Sequence, residues 1–134
     1  MSSVSASPIG ILIVDDHRAI LSGVAALVGS ESPRMHIVGQ ARCRTDALVL
    51  ARTARPNVIV LDVELGGDDG LDLIPPFHTC CDAAIVVFTC ATDPRVRLRA
   101  LRLGAAGFVS KTAPGGELIA AIDAAAVRPA PREA

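Results

Sequence analysis

Five short apolar runs recur along the chain, and each interval between them has room for a helix. The runs comprise residues 9–14, 35–38, 58–61, 83–89 and 106–110. Residues 58–61, for example, are too few and too β-branched for a helix core and are followed by a glycine-rich loop, which is typical of a buried strand. Because near-continuous apolar strands are covered on both faces, the pattern predicts an α/β fold: a doubly wound, five-stranded parallel sheet with helices on both sides.

Four of the intervening segments have clear helical spacing or helix boundaries. The predicted helices run over residues 20–29, from residue 45 to just before Pro56, from the N-cap Asp93 to Gly104, and over residues 114–126. A further helix begins at residues 71–74, but Pro75 and Pro76 cannot continue one, so that element is predicted to be short or distorted.

The length of 134 residues suits one domain. Hydrophobic residues make up 51% of the chain and charged residues 20%, which excludes a disordered protein, and no apolar run approaches the roughly 18 residues of a membrane span. We therefore predict a soluble, cytoplasmic protein with three segments. These are a disordered N-terminus at residues 1–8, a folded domain at residues 9–127 and a linker-like tail with two prolines at residues 128–134.

Composition also excludes several kinds of site. A net charge of −1 and three phenylalanines without tyrosine or tryptophan argue against a nucleic-acid surface on this domain. The four cysteines lack C-x-x-C spacing, so neither a zinc site nor a disulfide framework is indicated, and Cys80 and Cys81 are interpreted as small buried thiols in preference to a redox pair. The first strand ends in Asp15-Asp16-His17 and not in a glycine-rich loop, which excludes a dinucleotide-binding domain.

Polar side chains follow the carboxyl ends of the predicted strands, where ligands bind in open α/β sheets. They are Asp15, Asp16, Asp62, Thr89, Ser110 and Lys111. Three carboxylates at one edge repel one another unless a cation joins them, and hard oxygen ligands suit Mg²⁺ or Mn²⁺. Each aspartate has an alternative interpretation as a helix or loop cap, which is weaker for Asp15 and Asp16 because one residue suffices to cap a helix.

Lys111 is the single lysine among thirteen basic residues, and it falls at the same edge. Its alternative explanation is a coding bias towards arginine, but a compact ammonium opposite carboxylates is suited to a phosphoryl oxygen. Thr89 offers a hydroxyl at the end of the fourth strand, and the small residues after it leave room above Asp62. Together these residues favour transfer of a phosphoryl group to Asp62.

In order, these motifs resemble the receiver domain of bacterial two-component response regulators over about residues 9–127. The motifs are ILIVDDH (residues 11–17), VIVLDV (58–63), VVFTCA (86–91) and GAAGFVSK (104–111). The resemblance implies a phosphoacceptor, Asp62, that receives its phosphoryl group from a histidine kinase. It further implies that Asp15, Asp16, Asp62 and the backbone carbonyl of Glu64 hold the metal ion. Thr89 and Lys111 are then expected to sense the phosphoryl group, and Phe108 to swing inward when Thr89 moves.

Further motifs are similar to the NarL/FixJ, or LuxR-type, subfamily. They are DDHR (residues 15–18), VGQA (38–41) and KTAPGGEL (111–118). Members usually carry a C-terminal helix-turn-helix domain that binds DNA, which this sequence lacks. The resemblance therefore implies transcriptional output through such a domain, or a single-domain receiver, and a homodimer on phosphorylation. Arg95, Arg99 and Arg102 are candidates to pair with Glu117 or Asp123 of a second copy, or else form a solvated face.

The sequence departs from the family pattern near Asp62. Leu65-Gly66 replaces the usual Met-Pro, so a looser loop is expected, and Glu64 adds an acid that is expected to alter hydrolysis. Thr112 follows Lys111 where many receivers have proline, so a cis peptide there is costly. A receiver of this kind is not an enzyme. Two alternatives remain: a pseudo-receiver that serves only as an interaction module, and a haloacid-dehalogenase-like phosphatase that uses Asp62 and Glu64.

Overall fold

The computed structural model describes residues 7–127. Residues 1–6 of the predicted disordered start and the whole predicted tail at residues 128–134 lie outside the described residues. None of the helices in the described part combines the length and the apolar character needed to span a bilayer.

The described residues contain seven strands: β1 (Ile9–Val14), β2 (Met35–Ala41), β3 (Val58–Leu61), β4 (Glu64–Leu65), β5 (Asp68–Asp69), β6 (Ala84–Thr89) and β7 (Gly107–Ser110). Five of them form one parallel sheet in the order β2-β1-β3-β6-β7, and helices connect them. The helices are α1 (Arg18–Gly29), α2 (Arg44–Thr53), α3 (Ile74–Cys80), α4 (Pro94–Arg102) and α5 (Gly115–Val127). The predicted α/β class, with its doubly wound five-stranded parallel sheet, is confirmed.

Alternate residues of the central strands supply two separate cores, one on each face of the sheet. Ile11, Ile13 and Val60 pack with the buried faces of α1 and α5. Leu12 and Ile59 pack on the other face with α2, α3 and Ala100 of α4. Because both faces are covered, the inner strands have no polar side and read as unbroken apolar runs.

The third helix differs from its predicted form. Pro75 and Pro76 do not end a helix but lie in its first turn, where a missing N–H costs no intrahelical hydrogen bond. A short 3₁₀ turn, Gly70–Leu73, precedes them, and the α-helix itself has only seven residues. The element is therefore short, as expected, but it begins at the prolines. The second strand is longer than predicted and continues to Ala41, because its later residues still pair with β1.

A small antiparallel hairpin, β4 with β5, follows β3 and was not predicted. Glu64 pairs with Asp69 and Leu65 with Asp68, so Gly66 and Gly67 form a two-residue turn. Their φ angles of 58° and 91° are both positive, which a type I′ turn requires and glycine allows. The Gly-Gly pair is a recognised hairpin signal, but the two strands beside it are too short to show an alternating pattern.

Two arginines of α4, Arg95 and Arg99, form ion pairs within the chain. Arg99 binds Asp69 and Asp72, and Arg95 binds Asp93. The carboxylate of Asp123, a suggested partner across a dimer, binds Arg34 instead. Arg99 and Asp123 thus have partners within the chain, and their pairing with a second copy stays a prediction.

The structure also tests the predictions for the cysteines and for the Lys111–Thr112 peptide bond. All four cysteines are free, in agreement with the absence of a disulfide framework. Cys80 and Cys81 are partly buried and not fully so, because they are the last residue and the C-cap of α3, at the rim of the core. In residues 7–127 the one cis peptide is Ser32–Pro33, so the Lys111–Thr112 peptide is trans.

Candidate functional site

Backbone hydrogen bonds between neighbouring strands bring the predicted polar residues together at one edge. The N–H of Asp62 donates to the carbonyl of Val14 at 3.0 Å, which aligns the ends of β1 and β3. The N–H of Lys111 likewise donates to the carbonyl of Thr89 at 3.0 Å and aligns β6 with β7. Residues far apart in sequence therefore meet because parallel strands end in register.

Lys111 bridges two buried carboxylates. Its Nζ lies 2.7 Å from Oδ2 of Asp15 and 2.9 Å from Oδ2 of Asp62. The side chains of Asp15, Asp62 and Lys111 are 2%, 3% and 6% exposed, so water screens these contacts little. Burial acts to lower the pKa of Lys111, but hydrogen bonds to Asp15 and Asp62 outweigh it, and the pKa of Lys111 is raised above its ordinary value. The lysine is therefore a fixed positive charge.

Asp16 completes a group of three carboxylates, of which Lys111 contacts the other two, Asp15 and Asp62. Its Oδ1 is buried and accepts no hydrogen bond. An oxygen without a donor is costly to bury, and a divalent cation would satisfy it. The ligand atoms of Asp15, Asp16, Asp62 and His17 all lie within 4.8 Å of one another. The residues present thus fit a hard divalent ion such as Mg²⁺.

The two aspartates before α1 do not cap that helix. His17 occupies the N-cap position, and α1 has no side-chain capping bond. Oδ1 of Asp15 instead accepts the N–H of His17, the N-cap residue, at 2.9 Å. The capping interpretation of Asp15 and Asp16 is therefore wrong.

The loop after Asp62 is held by a glycine that sequence reasoning did not identify. A Cβ added at Gly70 would lie 1.9 Å from the carbonyl oxygen of Asp62, and the N–H of Gly70 donates to Val63 at 2.5 Å. Oδ1 of Asp62 accepts the N–H of Glu64 at 3.3 Å, whereas the Glu64 side chain is exposed. The loop is tightly packed at Gly70, and the predicted contribution of the Glu64 carbonyl to a metal site remains a prediction.

A cavity of about 490 Å³ opens beside the carboxylates. Its lining residues are Asp16, His17, Val63, Glu64, Gly66, Gly67, Asp68 and Asp69. The hairpin of β4 and β5, with its Gly66-Gly67 turn, contributes to the wall of this cavity. Its size is in the range of small-ligand clefts.

Thr89 and Phe108, the two residues expected to switch, occupy neighbouring strands. Thr89 is 1% exposed, and its Oγ1 accepts the N–H of Ala91 at 3.2 Å. Phe108 pairs with Val87 in the sheet register and is half-buried. The guanidinium of Arg97 lies 5.7 Å from the centre of its ring, within cation–π range. Arg97 covers the aromatic ring, and the spacing of the α4 arginines did not indicate this contact.

The doubly wound sheet and the acidic edge with its buried lysine define a class of protein, the receiver domain. The chain belongs to the family of response regulator receiver domains, whose model matches residues 11–123. It is similar to the response regulator GacA of Pseudomonas aeruginosa, with 33% identity over 115 residues that cover 85% of this chain and 53% of GacA. The receiver resemblance seen in the sequence is thereby confirmed.

Two further comparisons agree with the LuxR-type subfamily. The DNA-binding transcriptional activator DevR/DosR of Mycobacterium tuberculosis is 33% identical over 113 residues, which cover 84% of this chain and 52% of that protein. A LuxR-family two-component response regulator from Aurantimonas sp. SI85-9A1 superposes with a TM-score of 0.83 and 30% identity, over 93% of this chain and 91% of that one. The chain spans about half the length of the curated relatives it matches.

Proposed function

We propose that this receiver domain accepts a phosphoryl group on Asp62 from the phosphohistidine of a histidine kinase. One observation carries the proposal: the buried carboxylate of Asp62 lies at the sheet edge, 2.9 Å from the ammonium of Lys111 and beside two further aspartates. A carboxylate oxygen of Asp62 attacks phosphorus, the P–N bond breaks, and the imidazole of the kinase leaves. Lys111 is positioned to donate to a phosphoryl oxygen as negative charge accumulates on Asp62.

Asp15, Asp16, Asp62 and the backbone carbonyl of Glu64 would hold Mg²⁺ or Mn²⁺. Bound there, the ion supplies charge neutralisation to the carboxylates and to the incoming phosphoryl oxygens. The buried Asp16 oxygen without a donor supports this assignment. The Asp15 carboxylate also contacts the ammonium of Lys111, as Asp62 does, and this contact keeps the ammonium at the reacting edge.

In this proposal, Thr89 and Phe108 transmit the phosphorylation of Asp62 to the surface of the domain. The Thr89 hydroxyl accepts a backbone hydrogen bond, so its own proton can donate to a phosphoryl oxygen on Asp62. Its movement towards Asp62 vacates space beside β7, and Phe108 turns inward from beneath Arg97. The surface formed by α4, β7 and α5 then changes shape, as expected for a phosphorylation switch.

The output is proposed to be transcriptional. The relatives include a DNA-binding transcriptional activator, of which this chain matches about half. We therefore infer homodimerisation on phosphorylation and DNA binding through a C-terminal domain outside the given sequence. The chain itself acts in the cytoplasm as a phosphoacceptor and not as an enzyme.

Phosphorylation by acetyl phosphate with Mg²⁺ tests the assignment of Asp62. Asp62→Asn is expected to remove incorporation of phosphate, because an amide is a poor nucleophile for phosphorus. Asp46→Asn, which changes an exposed aspartate on α2, is the matched control and should retain it. Equal incorporation in the wild type and Asp62→Asn would contradict the proposal.

Two measurements separate the alternatives. A haloacid-dehalogenase-like phosphatase would hydrolyse a phosphomonoester with turnover, which the receiver should not do. A pseudo-receiver would show no change of oligomeric state with beryllofluoride and Mg²⁺. We expect a monomer to become a dimer under those conditions, as measured by light scattering.

A further inference from the structure

His17 is the one member of the carboxylate cluster to which no function has been assigned. Its Nδ1 lies 2.9 Å from Oδ1 of Asp15, 3.1 Å from Oδ1 of Asp16 and 3.9 Å from Oδ2 of Asp62. The imidazole is 58% exposed, but this nitrogen faces the buried carboxylates. The position of His17 in the cluster therefore suggests that it helps to hold the divalent ion.

The spacing of these atoms suits neighbouring ligands of one ion. Adjacent ligands of an octahedral ion with bonds of about 2.1 Å are separated by about 3 Å. The separations of Nδ1 from the Asp15 and Asp16 oxygens, 2.9 and 3.1 Å, match that edge. Nδ1 thus has the separation from each of these two oxygens that a shared ion would impose, and the ion would replace the hydrogen bond between Nδ1 and Asp15.

Hydrogen bonding leaves one oxygen on this side of the cluster unsatisfied. Nδ1 of His17 forms a hydrogen bond with Oδ1 of Asp15 at 2.9 Å. It is also 3.1 Å from Oδ1 of Asp16, yet that buried oxygen receives no hydrogen bond. Lys111 contacts different oxygens, Oδ2 of Asp15 and Oδ2 of Asp62. Its ammonium consequently makes no contact with Oδ1 of Asp15 or Oδ1 of Asp16, the two oxygens nearest Nδ1 of His17.

We propose that Nδ1 of His17 is a direct ligand of the divalent ion and makes this site prefer Mn²⁺ over Mg²⁺. The inference rests on the metal site of the proposed function. Mg²⁺ favours oxygen ligands and retains its waters, whereas imidazole is a ligand for transition-metal ions. A neutral ring with its proton on the exposed Nε2 leaves the Nδ1 lone pair for the metal.

A second explanation of the same contacts makes the opposite prediction. A protonated His17 would act as a counter-ion for the three carboxylates and compete with any divalent ion. Removal of the imidazole would then strengthen the binding of Mg²⁺ and Mn²⁺ alike. Metal affinity therefore distinguishes a ligand from a competitor.

The experiment uses Mn²⁺ as a paramagnetic probe of the full chain. Electron spin echo envelope modulation of the Mn²⁺ complex should show a directly coordinated ¹⁴N nucleus, and His17→Ala should lose that signal. The Kd for Mn²⁺ should rise about tenfold in His17→Ala, the lower limit of what even outer-shell partners contribute. The Kd for Mg²⁺, from competition, should change less than about threefold because Mg²⁺ replaces the nitrogen with water.

Two variants keep the result interpretable. His36→Ala removes an exposed imidazole from β2 and should leave both the nitrogen signal and the affinities unchanged. Two results would overturn the assignment of His17 as a ligand but leave the proposed function intact. They are tight Mn²⁺ binding without the ¹⁴N signal in the wild type, and stronger binding of both ions to His17→Ala. If Asp16→Asn binds Mn²⁺ as the wild type does, the carboxylate site is wrong, and the proposed function fails together with this inference.

Discussion

Among single residues, Gly70 places the tightest steric limit on the site. Its Cα packs against the backbone of Asp62, where a methyl group would lie 1.9 Å from the carbonyl oxygen. Lys111 constrains the same site electrostatically, because its ammonium contacts the carboxylates of both Asp15 and Asp62. Asp62 is therefore held from its backbone side by a glycine and from its carboxylate side by a lysine.

Gly70→Ala is expected to lower the free energy of unfolding by about 1–3 kcal/mol or more, as overpacking does. Phosphorylation of Asp62 should slow as well, because the clash is resolved by moving its backbone. Gly23→Ala on α1 is the matched control: a Cβ there meets nothing within 4 Å, and alanine should stabilise the helix by roughly 0.5–1 kcal/mol. Urea unfolding of both variants measures the difference. Similar stabilities for the two would show that the loop accommodates a side chain.

Among the elements, α4 is attached to the rest of the fold by few buried residues. Ala100 is its one buried residue, and Leu98 and Leu101 are nearly half exposed. Polar contacts supplement this packing: Arg99 binds Asp69 and Asp72 beside the hairpin, and Asp93 caps the first turn. A helix held in this way can move without loss of a large apolar contact, which suits the proposed switch surface.

The Asp93 cap is predicted to make the stability of α4 depend on pH. Hydrogen bonds from the Arg95 side chain and backbone lower the pKa of Asp93 below its ordinary 3.8. A carboxylate with a lowered pKa in the folded state stabilises that state above pH 3.8, and the contribution is lost as pH falls through the lowered value. The difference in α4 amide protection between the wild type and Asp93→Asn should therefore shrink on acidification from neutral pH to below 3.8.

Hydrogen exchange followed by mass spectrometry measures that difference for α4, with α5 as an internal reference. Arg95→Gln is the control, since it retains the backbone cap but removes the ion pair, and it should show a weaker pH dependence than the wild type. Because Arg95 and Asp93 are exposed, high salt should also reduce the effect. A difference that grows on acidification would contradict the assigned pKa direction.

At the scale of the whole molecule, we expect the acidic edge to link metal binding to folding. Three carboxylates gather there only when β1 and β3 are aligned, so the folded state should bind Mg²⁺ far better than the unfolded chain. At a Mg²⁺ concentration about 100 times its Kd, the stabilisation should be about 2.7 kcal/mol. For a domain of this size that raises Tm by roughly 10 °C.

Calorimetry with and without Mg²⁺ checks this expectation, and EDTA should reverse the increase. Asp16→Asn should lose most of it, because it replaces one carboxylate of the cluster. Potassium chloride of equal ionic strength serves as the control for screening. An equal increase with potassium, or in Asp16→Asn, would show that the stabilisation is not due to the proposed site.

Much of this architecture could be predicted from local patterns. Apolar runs and helix boundaries depend on neighbouring residues, so the five strands of the sheet, the Asp93 cap and the end of α1 at Gly29 agree with the sequence. The meeting of Asp15, Asp62 and Lys111 was also predictable, since all parallel strands end at one edge. The position of the prolines in α3 was not, because a proline is equally compatible with the end of one helix and the first turn of another.

The order of short apolar strands, acidic strand ends and a single lysine was enough to indicate the fold and the edge proposed for the chemistry, and the resemblance of the motifs indicated the receiver family. Only the tertiary structure decided that His17 faces the carboxylates, that Gly70 touches Asp62 and that Arg99 binds across to Asp69. The physical reason is the distance along the sequence over which the determining interactions act. A strand or cap is determined by residues a few positions apart, whereas these contacts join side chains whose directions depend on how whole elements pack.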